Sequence, residues 1–161
     1  MPIKNRLAER HDLVTAWRRD LHENPELMYD THRTSGIVAE KLCAFGCDEV
    51  VERIGRTGVV GVIKGRTDTR GHVVGLRADM DACRISGNGA VDDNTTAIMG
   101  GEDFAYMLKV VPGAYIQIGN GDTAEVHHPL YNFNDEAIPA GASYWAELVE
   151  NRMLVASGGK E

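Results

Sequence analysis

Cysteine is scarce in this chain: Cys43, Cys47 and Cys83 are all that its 161 residues hold. An odd count without a paired framework argues against a disulfide scaffold and predicts reduced thiols in a cytoplasm. Long apolar runs are also missing. No segment approaches membrane-spanning length, and the opening residues MPIKNRLAERHD lack the apolar core of a secretory signal. Positive charge is in deficit, with 17 Lys and Arg against 24 Asp and Glu, a net −7 and a pI near 5.3. That balance excludes the basic face which nucleic acid or an anionic membrane would require. What is present, 43% hydrophobic and 25% charged residues, is the composition of a globular protein rather than a disordered tail. The length suits one domain better than two.

Helical spacing of Leu7, Leu13, Val14, Trp17 and Leu21 predicts a helix over residues 5–23, stopped by Asn24-Pro25. A second is expected from Thr34 to Phe45, with Ile37, Val38 and Leu42 as its apolar side chains and Gly46 as terminator. Short Val- and Ile-rich runs at 49–54, 58–63 and 73–76 read as strands separated by glycine-bearing turns. Residues 84–97 hold turn formers and no apolar stripe, so they read as a linker. A helix is expected from Gly100 to Val110, a strand over 114–118, and a turn at Gly119-Asn120-Gly121. A polar loop with Glu125-Val126-His127-His128-Pro129 follows, then a final helix from about Ile138 with Pro139 in its first turn. Alternating helices and strands predict an α/β fold, helices packed on a small mixed sheet whose exposed edges invite pairing with another chain.

Five segments, in order, resemble the zinc- or manganese-dependent amidohydrolases that include hippurate hydrolases, N-acyl-amino-acid amidohydrolases and auxin-conjugate hydrolases. They are Trp17–His22 with Asn24–Leu27, then Arg56–Gly61, Leu76–Ala82, Met99–Phe104, and His127–Pro129 through Tyr131–Glu136. The resemblance implies a single zinc-peptidase-like catalytic domain built from residues 1–83 and 98–161, with 84–97 as the junction. It also implies an N-acyl amino acid as substrate. Where the family continues past Leu76–Ala82 with a Leu-Pro stretch, a His-x-Cys-Gly-His-Asp motif, a Glu-Glu pair and a lid domain that often dimerises, this chain has Cys83-Arg84 and the junction. The expectation is a large internal deletion.

Of the family's metal ligands, only His127 is carried over by a matching motif; the carboxylate base is not. Asp79 would stand near the metals and organise their surroundings, or it could pair with Arg77 at a strand end. Gly100, Gly101 and Glu102 could present backbone N–H groups to a substrate carboxylate, or serve as an ordinary helix start. A metal site rebuilt from His127, His128, Asp79, Asp81 or Cys83 is a further possibility. Asp92-Asp93-Asn94 lacks the spacing of a calcium loop, Cys43 and Cys47 have no adjacent histidine, and Cys83 has no evident base. His11, His22, His32 and His72 have no ligand-like neighbours. The sequence therefore supports two readings: an amidohydrolase remnant with impaired activity, and a non-catalytic or engineered scaffold that self-associates, possible as a homodimer.

Overall fold

The computed structural model describes residues 3–26, 28–66, 71–80, 103–124 and 130–153. They fall into two compact units. One combines Met1–Cys83 with Ile138–Glu161, and the other is Arg84–Ala137.

In the first unit the chain opens with α1 (Asn5–Ala8) and α2 (His11–Glu23). A single helix was expected over 5–23. Instead Arg10, at φ −100° and ψ 4°, leaves the helical region and interrupts the run. Between Leu7 and Leu13 only Ala8 is apolar, so no buried stripe holds those turns together. Asn24 ends α2 twice over: its backbone N–H and its side-chain Nδ2 both donate to Asp20 O, at 3.2 and 2.9 Å.

Helix α3 (His32–Ala44) stops at Gly46, which adopts φ 82°. The Gly46 N–H donates to Cys43 O at 3.0 Å and the Cys47 N–H to Leu42 O at 3.1 Å, the paired bonds of a left-handed cap. Strands β1 (Glu49–Ile54) and β2 (Gly58–Val62) then form an antiparallel hairpin with α3 packed on both. Close approach explains Gly61: a Cβ there would stand 3.1 Å from a Leu42 methyl and 3.2 Å from Cys47 Sγ. Trp17 of α2 meets Phe45 with ring centroids 5.7 Å apart, and the Lys41 ammonium lies 5.2 Å from the centre of the Trp17 ring. Helix α5 (Ala137–Arg152) buries Ser143, whose Oγ accepts from the Lys4 N–H at 3.0 Å, while the Lys4 ammonium pairs with Glu150.

The second unit holds α4 (Phe104–Leu108), with Phe104 and Tyr115 in ring contact at 6.1 Å. Within the described residues this helix is shorter than expected: Lys109 and Val110 continue it as a tightened turn, the Val110 N–H reaching back three residues to Met107 O.

Two strand expectations fail. Residues 73–76 and 114–118 form no ladder, and the sheet is a two-stranded antiparallel hairpin rather than a mixed one, among the described residues. The physical reason is that β-propensity needs a partner to supply hydrogen bonds and cover the side chains. Val73 is 90% exposed. Among the described residues the buried apolar positions are few, Ala39 at 6% with Pro139 and Gly141 of α5, whereas Thr15, Thr31, Thr34, Ser35, Thr57, Asn120 and Ser143 are buried polar residues. No described helix is long and apolar enough to cross a membrane.

Candidate functional site

Of the site residues expected from sequence, Gly100, Gly101, Glu102 and His127 lie outside the described residues, as do His128, Asp81 and Cys83. Asp79 is described. Its Oδ1 accepts a charge-assisted hydrogen bond from Arg77 Nη2 at 2.7 Å, on an irregular segment following the hairpin. The Arg77–Asp79 pair thus forms, but without the strand it was expected to cap. Among the described residues no three His, Cys, Asp or Glu side chains come together as a metal ion would require. What they offer near Leu76–Met80 is one carboxylate already held by a guanidinium.

The described residues on either side of the His127 segment are tied together, by a device where the sequence suggests a simple turn. Asn120 is only 3% exposed. Its Nδ2 donates to Asn132 O at 2.9 Å, and its Oδ1 accepts from the Asn134 N–H at 2.6 Å. Thr123 adds a second link, its Oγ1 lying 3.2 Å from both the N and the O of Asn132. These bonds tie residues 120–123 to 132–134. Short polar side chains do this well because they mimic a backbone partner. The signal in the sequence is Asn120 set between two glycines, of which Gly121 takes φ 82°.

A second polar device sits in the segment Pro25-Glu26, one of the family-like motifs. Glu26 Oε2 accepts from the Thr34 N–H at 2.7 Å and Oε1 from the Arg33 N–H at 2.9 Å, so this carboxylate caps the start of α3 from outside the helix. The N–H groups of Thr34 and then Arg33 hold its carboxyl below the ordinary glutamate range, against partial desolvation acting in the opposite sense. Arg33 in turn pairs with both carboxylate oxygens of Asp20 at 2.8 Å, locking α2 to α3. Thr57, from the Arg56–Gly61 motif, shares a buried 2.8 Å hydroxyl contact with Thr31 at the start of α3. These motif residues therefore hold the scaffold together rather than forming a reacting centre.

Comparison with known proteins agrees with the motifs. Residues 76–151 match peptidase family M20/M25/M40. The chain belongs to this family. It is 56% identical over 66 residues to a hippurate hydrolase of Campylobacter jejuni, covering 40% of the chain and 16% of that protein. Over 125 residues it is 38% identical to thermostable carboxypeptidase 2 of Saccharolobus solfataricus, covering 74% of the chain and 31% of that protein. An N-acyl-L-amino acid amidohydrolase of Geobacillus stearothermophilus is 31% identical over 145 residues, which cover 87% of the chain and 38% of the relative. The chain thus spans well under half the length of these relatives. No solved structure matches it.

Proposed function

We propose that this chain is an internally shortened catalytic region of a metal-dependent N-acyl-amino-acid hydrolase, with little or no hydrolytic activity of its own. The observation that carries this is the junction: the Leu76–Ala82 and Met99–Phe104 motifs stand in family order, yet only residues 83–98 separate them. Hydrolysis by metal-activated water needs several ligands and a carboxylate to take the water's proton. Within the shortened span the segments that would bring the base and most ligands do not occur, and His127 alone matches a ligand position. Exposed apolar side chains support the same reading. Ile63 at 78% and Val73 at 90%, next to the hairpin in the chain, are residues that a complete sheet would cover.

The parent reaction is cleavage of the amide between an acyl or aroyl group and an amino acid, with zinc or manganese. The proposed compartment is the cytoplasm, consistent with Cys43 and Cys47 as free thiols. The test is hydrolysis of hippurate and of an N-acetyl amino acid by the purified chain, with zinc or manganese added. No rate above the metal-only control is expected, and robust chelator-sensitive turnover would overturn the reading. Metal content measured with and without His127→Ala should not differ, since one imidazole does not retain a metal.

A second reading is favoured by one observation. Both outer edges of the β1–β2 hairpin are unpaired among the described residues, and Val51, Ile54 and Val60 on it are exposed. A scaffold that pairs these edges in a homodimer would appear as a doubled mass in light scattering at high concentration. A monomer there rules out the pairing.

A further inference from the structure

The first unit contains a polar groove between the start of α3 and the irregular end of β1, distinct from every site residue expected from sequence. It has a volume of about 330 Å³ and is lined by His32, Ser35, Glu52, Arg53, Arg56 and Thr57, with Gly36. That is the lower end of the size range of small-molecule sites.

Four observations define its chemistry. The β1–β2 register shifts between Val51 and Ile54, and within that irregularity Arg53 takes φ 61°, a left-handed conformation that re-aims its side chain relative to a regular strand. In a chain of net charge −7, the Arg53 guanidinium has neither ion pair nor hydrogen bond among the described residues. Arg56 beside it is already anchored, its Nη2 donating to Asp30 Oδ1 at 3.0 Å. Ser35 is 7% exposed, yet its hydroxyl makes no hydrogen bond among the described residues, whereas the Thr57 hydroxyl is committed to Thr31. The Ser35 oxygen is not among the water-excluded side-chain atoms that lack a partner, so it is open to the groove and to solvent. The N-terminus of α3 is not itself the attraction, since Glu26 occupies the Arg33 and Thr34 N–H groups.

We infer that this groove binds a small oxyanion, with Arg53 as the charged donor and the Ser35 hydroxyl as a hydrogen-bond donor to the same group. A guanidinium binds a carboxylate or phosphate through parallel N–H bonds, and Arg53 is free to do so while Arg56 is not. Glu52 on the rim repels negative charge, so a monoanionic carboxylate binds more tightly than phosphate.

The test is a titration of the full chain with acetate and, separately, with inorganic phosphate, followed by backbone amide shifts in solution. Saturable shifts confined to residues 31–36 and 52–57 are expected, at lower concentration for acetate. Arg53→Gly keeps the left-handed backbone and removes the charge; it should weaken acetate binding by about tenfold or more, while Arg53→Lys retains part of it. Ser35→Ala should weaken it by about threefold, and Glu52→Gln should tighten both anions, phosphate more than acetate. Shifts that never saturate, or an Arg53→Gly variant that binds acetate as well as the parent, would overturn the assignment. Tighter phosphate than acetate binding in the parent would overturn the role of Glu52.

Discussion

The two units reach order by different means. In the first, α3 lies on the β1–β2 hairpin, and backbone ladders, a glycine cap and the Trp17–Phe45 contact hold it. In the second, regular structure among the described residues is the five-residue α4, and residues 120–123 are held to 132–134 by the side chains of Asn120 and Thr123. The difference teaches where each unit is vulnerable. A helix on a hairpin rests on many small contacts, whereas a side-chain clamp depends on one or two buried polar atoms.

Removing the clamp is the strongest way to break that contrast. Asn120→Ala leaves the Asn134 N–H without its partner and the Asn132 carbonyl with only the Thr123 hydroxyl, at a cost of about 2–3 kcal/mol. Amide exchange at Asn134 should therefore rise by roughly a hundredfold while exchange in β1 and β2 stays unchanged. Equal acceleration in the hairpin would show that the two units open together. Thr57→Val applies the same test to the first unit. It leaves the buried Thr31 hydroxyl without its 2.8 Å partner and should cost about 1–2 kcal/mol, read as faster exchange in α3 and the hairpin but not at Asn134.

The smallest effect is expected at Glu26, and it depends on pH. Because the folded carboxyl titrates below its unfolded value, its ionised form favours the folded state above the unfolded pKa. That contribution is lost as pH falls through the folded value. Glu26→Gln should thus lower the melting temperature of the first unit at neutral pH, and the gap should close below the ordinary glutamate range. A gap that persists into acid would mean that the cap works through its shape and not its charge.

Much of the scaffold was legible from residue order. The apolar spacing from Leu13 to Leu21, the Gly46 stop and the Val-rich runs at 49–54 and 58–63 each report a local preference, and each appears where that preference points, the second strand ending one residue early at Val62. Residues 73–76 and 114–118 have the same β-forming composition and stay irregular, joining no ladder among the described residues. The candidate site was legible as a set of motifs but not as a geometry. Asn120 read as a turn residue and Glu26 as part of a family pattern. Their work, clamping a loop and capping a helix seven and eight residues away, depends on contacts that no local window contains.

The sequence by itself determined the family, through five ordered motifs, and the helix and hairpin segments whose preferences are local. The tertiary structure alone decided which strand-like runs found partners, which carboxylate became a cap, and which arginine was left facing a groove. Propensity acts within a few residues, whereas pairing, burial and charge neutralisation are settled by whatever the rest of the chain brings within reach.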